Sequence, residues 1–287
     1  MRDLINSDSR IAIAVNPLSG KGKAVKTGRW LSEQLYQLKI KHSLFSGVWP
    51  NHFENFTEVW IVGGDGTNNY FINRYKNINL PLAFFKGGTG NDFAWKLYGD
   101  MSMEEQLKLV LEVIARPVDA AICNGRLYVN SLGIGFDGEV LQSMNSIRWM
   151  GGHLGYLWAV IKKIFYFKEF CFKIECNRQI ITGKFLLVIV NNSSRTGGGF
   201  LVAPGAAIDD GKLDMILCKP LSLFKRLRYL PVIEKGKHLD LPFIDSSCPV
   251  QVRIEAEKEL PAQLDGEFMI SKVFEIKVLP GNLLVRY

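Results

Sequence analysis

The sequence has no apolar run approaching the roughly 20 residues that a helix needs to cross a bilayer. Its greasiest stretch, Leu154 to Phe167, is split by Lys162 and Lys163. A helical membrane protein is therefore not expected. The opening decapeptide, Met1 to Arg10, is polar and lacks the basic-then-apolar order of a secretory signal. Cysteine is sparse. The five cysteines, at 123, 171, 176, 218 and 248, are odd in number, scattered and free of paired spacing, so neither a disulfide framework nor a thiolate zinc site is implied. A reduced, cytoplasmic chain is the expectation. Two well-known phosphate signatures are also missing. Lys23 is followed by Ala24 and Pro17 replaces a leading glycine, which rules out a P-loop, and Asn69 stands where the dinucleotide fingerprint needs its last glycine.

What the chain does have is size and positive charge. Its 287 residues are long for one domain and comfortable for two, with apolar content for sizeable cores. A formal charge of +7 fits anionic partners such as ATP, lipid headgroups or nucleic acid, though many proteins are as basic without one. Three junctions are more specific. Ile11 to Val15, Val59 to Val62 and Leu80 to Phe85 are apolar runs that read as buried strands. They lead into Asn16-Pro17-Leu18-Ser19-Gly20-Lys21-Gly22-Lys23, Gly63-Gly64-Asp65-Gly66-Thr67-Asn68-Asn69 and Lys86-Gly87-Gly88-Thr89-Gly90-Asn91-Asp92, each followed by a helical pattern. Repeated strand, turn and helix predict an α/β domain with a parallel sheet, its turns opening on the carboxyl edge where such sheets bind ligands.

Free N–H groups and the helix dipole make such turns anion sites. Asp65 would repel phosphate unless a cation lies between them, and Mg²⁺ with a nucleotide resolves the conflict. The plainer alternative is a tight turn in which Asp65 caps its own helix. Lys21, Lys23, Lys26 and Arg29 oppose the dipole of a helix expected over 24 to 39. They either meet a phosphate or form a solvated cluster.

Past Arg116-Pro117 the pattern changes. A helix over Met101 to Ala115, opened by a Ser102/Glu105 capping box, precedes a hairpin signal: Asp119 to Cys123, Asn124-Gly125, then Arg126 to Asn130. A second domain begins at Val118, giving domains 1–117 and 118–287, with a return of the last strand to the first domain left open. Strand-like runs at 170–175, 184–191, 213–219, 250–257 and 273–279, with Val250, Val252, Ile254 and Ala256 alternating against polar neighbours, predict a mainly antiparallel β-sandwich. Two helices interrupt it. Gly155 to Phe167 sets Tyr156, Leu157, Val160, Ile161, Ile164 and Phe165 on an apolar face beside Lys162, Lys163 and Lys168. Ser222 to Leu230 sets Leu223, Phe224, Leu227 and Leu230 opposite Lys225, Arg226 and Arg228. Basic, aromatic-rich helices rest on anionic bilayers or, more often, cover a sheet.

Four motifs in order carry a resemblance. Asn16-Pro17-x-Ser19-Gly20, Gly63-Gly64-Asp65-Gly66-Thr67-x-Asn69, Gly88-Thr89-Gly90-Asn91-Asp92-Phe93-Ala94 and Leu264-Asp265-Gly266-Glu267 resemble the diacylglycerol kinase catalytic family. Its bacterial soluble lipid kinases are nearest in size, and sphingosine and ceramide kinases are relatives. The motifs span residues 16 to 267, so the resemblance covers essentially the whole chain. It implies a Rossmann-like three-layer domain, a β-sandwich domain, and ATP- and Mg²⁺-dependent phosphorylation of a diacylglycerol-like or long-chain lipid.

By that resemblance Asp265 is the base that takes the proton of the attacking hydroxyl. Read from the residues alone, Asp265-Gly266 is a hairpin turn. Asp65 and Glu267 become magnesium ligands, directly or through water, and Asn16, Gly63, Gly64, Gly66, Thr67, Asn68 and Thr89 hold the nucleotide. Thr89 is alternatively a helix N-cap. A second, structural magnesium is implied at Ala206 to Leu213, with the Asp210 side chain and the Ala207 and Lys212 carbonyls as ligands; without the resemblance this is an ordinary loop. Two departures flank the motifs, since Tyr70-Phe71 stand where the family has Glu-Val and Lys86-Gly87 where it has Pro-Leu. They bear on substrate identity. The expected partners are ATP and a lipid at a membrane surface, with no nucleic acid and with a homodimer and peripheral membrane attachment left open. A kinase of a soluble alcohol, like the NAD kinases with their related GGDG turn, and a catalytically weak nucleotide-binding regulator remain the alternatives.

Overall fold

The computed structural model describes residues 4–6, 8–144 and 152–287, without the side chains of 144 and 152–156, so the expectation for Tyr156 lies outside the described residues. The chain divides into two units, Met1–Val118 with Gly281–Tyr287, and Asp119–Pro280.

In the first unit β1 (Arg10–Val15), β2 (Lys41–Ser46), β3 (Glu58–Gly63) and β4 (Leu82–Lys86) pair in parallel in the order β4-β3-β1-β2. The apolar strands β3 and β4 are buried almost throughout, as strands with both faces covered must be, while polar β2 is the exposed edge. The helices are α1 (Lys23–Gln37), α2 (Asp65–Arg74), α3 (Asp92–Tyr98) and α4 (Met103–Glu112). In α1, Ala24, Leu31 and Leu35 are buried, and Gly28 lies where an added Cβ would stand 2.5 Å from the Val15 side chain. The Ser102/Glu105 capping box of α4 forms as predicted, but the helix ends at Glu112, short of Ala115. The chain's last residues belong here. Val285 pairs in parallel with Leu82, and Arg286 donates Nε to both carboxylate oxygens of Glu58 at 2.9 Å.

In the second unit β5 (Arg116–Cys123) turns into β6 (Arg126–Tyr128) through Asn124 and Gly125 at φ 47° and 81°, the primed turn that the sequence predicts. Then come β7 (Ser131–Ile134), α5 (Phe136–Met144), α6 (Gly152–Tyr166), β8 (Phe170–Cys176), β9 (Gln179–Phe185), β10 (Leu187–Asn191), β11 (Asp214–Cys218), α7 (Leu223–Glu234), β12 (Ile244–Ser247), β13 (Gln251–Leu264) and β14 (Glu267–Val285). Pairing is antiparallel from β12 through β11, β10 and β7 to β13, which also pairs with β8 and β14. Inward side chains of β5, β7, β8, β10, β11, β13 and β14, among them Ile134, Ile174, Leu217, Ile254 and Phe274, share one core. The fold class is the expected one, a parallel α/β unit followed by an antiparallel sheet unit.

Several expectations need correction. Val250 is exposed and precedes its strand, and β13 and β14 run well past the expected 257 and 279. Pro261 and Pro280 sit inside them, and a register shift between Glu255 and Leu260 absorbs an irregularity in β13. The strands β7 and β12, most of β9 and the helix α5 lie outside the runs that the sequence marks, and the single run expected at 184–191 divides between the end of β9 and β10.

Candidate active site

The strands β1, β3 and β4 lie side by side, with Val15 opposite Val62 and Gly63 opposite Lys86, so the turns that follow start from one edge. They meet through backbone. Gly87 N donates to Gly63 O at 2.8 Å. A Cβ on Gly88 would lie 2.4 Å from the Gly64 Cα, and one on Gly20 2.3 Å from the Gly87 carbonyl oxygen. Approaches this close admit no side chain. Asn16 Nδ2 donates to Thr67 Oγ1 at 2.9 Å, and Ser19 Oγ lies 2.9 Å from the same oxygen, so a small polar cluster ties the first turn to α2. The helix α2 starts from extended Gly64 without a side-chain cap, which leaves its N-terminal dipole to any ligand.

Half-buried Asp65 does not cap its own helix. Its Oδ1 accepts from Phe93 N at 3.1 Å, and the amides of Asp92 and Asn91 also bear on it, so it secures the start of α3. Burial pushes its carboxyl above the usual carboxylate range, against the pull of those amides. A cation alongside would favour the ionised form. Buried Asn68 Oδ1 has no donor. An orphaned acceptor, a half-buried carboxylate and an uncapped helix start together fit a nucleotide phosphate with a hydrated divalent cation.

Exposed Thr89 lies in the third turn, but the residue preceding α3 is Asn91, at φ 54°, whose side chain bonds Gly88 N at 2.8 Å and Gly88 O at 3.0 Å. Thr89 is therefore not the N-cap. The departures have local causes. A Cβ on Gly87 would stand 2.8 Å from the Ala24 Cβ, and Lys86 Nζ donates to the Gly99 carbonyl. Tyr70, 54% exposed, lies against Trp49 with ring centroids 5.7 Å apart.

In the second unit Asp265 and Gly266, at φ 49° and 83°, form the primed turn between β13 and β14. Its carboxylate points inward and is 3% exposed. Oδ2 accepts from Val129 N at 2.8 Å, and Oδ1 from Asn130 N and Ser131 N, both at 2.9 Å. Gln263 supports the turn, donating to Ser131 Oγ at 2.8 Å and accepting from Gly266 N at 2.9 Å. Asp265 is thus at once hairpin turn and buried anchor. Glu267 is exposed at the start of β14. In the proposed cation loop, exposed Asp210 accepts from Lys212 N at 3.0 Å through Oδ1, and buried Asp119 holds Gly211 N at 2.7 Å. Ala207 is half-buried beside them in sequence. Among the described residues no three His, Cys, Asp or Glu side chains converge as a metal cluster.

The sequence reading missed a pocket in this unit. A narrow cleft, part of it open to solvent, lies between Phe136, Val160, Ile164, Leu186, Phe200 and Leu230, with Asp137, Thr196 and Arg226 as its polar members. Burial pushes the Asp137 carboxyl up to about 6, and its Oδ2 has no hydrogen-bond partner. Gly133 makes room for it, since a Cβ there would lie 2.1 Å from that oxygen. The run Gly135-Phe136-Asp137-Gly138, an acid between glycines after an apolar strand, was the available signal.

Comparison with known proteins adds to this geometry. Residues 10–123 match the family model of the diacylglycerol kinase catalytic domain, and residues 130–287, more than half of the chain, match the YegS C-terminal NAD kinase beta sandwich-like domain. The chain is 25% identical over 299 residues to a diacylglycerol kinase of Mycobacterium tuberculosis, covering 96% of this chain and 94% of that one. It is 29% identical over 288 residues to a Pseudomonas fluorescens protein named "Probable lipid kinase YegS-like", covering 99% and 92%. The crystal structure of a diacylglycerol kinase from Bacillus anthracis matches with a TM-score of 0.75 over 97% of both chains at 22% identity, a likeness of fold.

Proposed function

Because the chain belongs to the diacylglycerol kinase family of lipid kinases, and is thereby a phosphotransferase with an alcohol acceptor, we propose that it transfers the γ-phosphate of ATP to a hydroxyl of a diacylglycerol-like or long-chain lipid. The observation that carries the nucleotide half is the side-chain-free contact of Gly20, Gly64, Gly87 and Gly88, which brings three turns together beside an uncapped helix start. Gly63, Gly64, Gly66, Thr67 and Asn68 would hold the phosphates through backbone and side-chain donors, with Asn16 fixing Thr67 and Thr89 adding a hydroxyl.

Asp65 and Glu267 would hold the cation, directly or through its waters. When bound, Mg²⁺ supplies neutralising charge to the phosphates. Asp265 would take the proton of the attacking hydroxyl. A carboxylate oxygen has more than one lone pair, so the bond from Val129 does not by itself exhaust Oδ2. The carbonyls of Ala207 and Lys212 and the carboxylate of Asp210 would form a second, structural cation site.

The lipid half is supported by the apolar pocket of the second unit, whose aliphatic and aromatic lining suits an acyl chain and has little to offer a small polar alcohol. Among the described residues no helix is long and apolar enough to cross a membrane. On this reading the lipid acceptor is met at a membrane surface.

Incubation with γ-labelled ATP, Mg²⁺ and detergent-dispersed diacylglycerol, followed by solvent extraction, tests the reading. Label is expected in the organic phase. Label confined to a water-soluble acceptor, or nucleotide binding without product from any lipid, would overturn it.

A further inference from the structure

The cleft of the second unit is lined mostly by aliphatic and aromatic side chains, and of its three polar members Arg226 is already engaged. Its Nε donates to the Leu221 carbonyl at 2.9 Å, its Nη1 to the carbonyls of Ile164 and Phe167 at 3.0 and 2.9 Å, and its Nη2 pairs with Glu169. Asp137 and Thr196 remain.

The strand β7 sets these two side by side. Side chains alternate along a strand, so Ser131 and Gly133 share one face. The Asp137 carboxyl lies over that face at Gly133, where an added Cβ would stand 2.1 Å from Oδ2. Two residues earlier, roughly 7 Å along the strand, Ser131 Oγ lies 2.8 Å from Thr196 Oγ1 and accepts from Gln263 Nε2 at 2.8 Å. Thr196 is fixed in turn, exchanging backbone bonds of 2.9 Å with Phe200 in both directions. Ile189, the β10 partner of Gly133, lines the cleft beside them. The row of polar groups leads to Asp265. Ser131 N donates to its Oδ1 at 2.9 Å, and Ser131 O accepts from Asp265 N at 2.9 Å.

The fold itself gains nothing from a carboxylate at 137. The residue is 7% exposed, its Oδ2 meets no donor, and burial pushes the carboxyl up to about 6, so at neutral pH it is ionised without an answering group. The cations nearest in the cleft and on the neighbouring helix are taken: Arg226 as above, and Lys163 by Glu139 at 3.0 Å. Gly133 must also forgo a side chain for the carboxyl to fit. A buried acceptor that destabilises the empty protein, aimed into an apolar cleft, is what a site for a ligand's donor requires. Thr196 adds a hydroxyl that can both donate and accept.

We propose that Asp137 and Thr196 form the head-group subsite of the lipid acceptor, in which Asp137 accepts a hydrogen bond from a second donor, a hydroxyl or an ammonium, carried on the carbon next to the hydroxyl that is phosphorylated. The inference rests on the lipid-kinase reading and names the substrate feature that this reading leaves open. With the tail among the apolar lining, the head stands in the polar row that ends at Asp265. An ester at the neighbouring carbon, as in a diacylglycerol, offers Asp137 only further acceptor oxygens and is held less tightly.

Calorimetric titration without ATP tests this on the full chain, using three medium-chain alcohols below their micellar concentrations. They share one tail and one terminal hydroxyl, and carry a hydroxyl, an amino or a methoxy group on the next carbon. The diol or the amino alcohol is expected to bind the wild-type chain about tenfold or more tighter than the methoxy compound, as a bond to a charged acceptor provides. Asp137→Leu should bring that ratio close to one while melting at or above the wild-type temperature, and Thr196→Val should lower it in part. Asp137→Asn separates the two donors, because it keeps an acceptor oxygen for a hydroxyl but no charge for an ammonium. Loss of the preference in this variant identifies an ammonium, and its retention a hydroxyl. Equal affinities for all three compounds in the wild-type chain overturn the proposal, as does a preference that survives Asp137→Leu. Selective binding without phosphorylation of any lipid when ATP and Mg²⁺ are added would remove the kinase reading and leave the subsite standing.

Discussion

Asp265 and Asp137 are both buried carboxylates, and their surroundings treat them oppositely. Asp265 accepts three main-chain N–H bonds. An asparagine there keeps one acceptor oxygen and turns its NH₂ toward at least one of those donors. Asp265→Asn should therefore lower stability by about 1–3 kcal/mol, and if Asp265 is the base it should also cut turnover by roughly 10²-fold or more. Denaturant titration and kcat separate the effects, because a strut alone would lose the first and keep the second. Asp137 has no such donors at Oδ2, and its folded value near 6 stands above the ordinary 3.8. Between those values the native state holds the proton more tightly than the unfolded chain. Stability is then lost as pH rises through that window, by up to about 3 kcal/mol, and stays lost above it. Asp137→Asn should match wild type near pH 4 and exceed it near pH 7.5 in denaturant midpoints at the two pH values. An equal difference at both pH values would show that Asp137 is not held protonated.

At the scale of elements, the glycine turns were legible because strand, glycine and helix signals are local and repeated, and the same holds for the Ser102/Glu105 box and the Asn124-Gly125 hairpin. What was not legible depends on partners distant in sequence. From the residues alone Asp65 reads as a cation-bridged phosphate site or as the cap of its own helix, with nothing to show that it reaches Phe93, and Asp265 reads as a hairpin turn, with nothing to show that its side chain anchors Val129 to Ser131. The pocket around Asp137 comes from segments between 136 and 233 that share no local pattern. The turn contact makes its own prediction. Gly88→Ala places a methyl where the Gly64 backbone lies, so the second and third turns must part. Nucleotide affinity should fall by about tenfold or more, as one misplaced phosphate contact costs, with a smaller loss of melting temperature. Calorimetric titration with ATP analogues would show it. Affinity equal to wild type would mean that the turns do not act as one cradle.

At the scale of the whole chain, the first unit is completed by residues from the other end of the sequence. Glu58 and Arg286 are 3% and 2% exposed, and the Arg286 Nη1 also donates to the Val113 carbonyl. Burial pushes the Glu58 carboxyl up and the guanidinium pulls it back. Removing one partner of a buried pair strands the other charge, so Arg286→Met should cost about 3–5 kcal/mol, whereas Glu58→Leu with Arg286→Met should recover much of the loss. The same logic bears on fragments. Residues 1–118 expressed alone keep every turn of the nucleotide cradle but lack the strand segment that pairs with Leu82 and the cation that answers Glu58. That fragment should melt without a cooperative transition, and adding residues 281–287 through a short flexible linker after Val118 should restore one. A sharp, wild-type-like transition in the bare fragment would show that the closing strand is dispensable and that Glu58 tolerates burial without its partner.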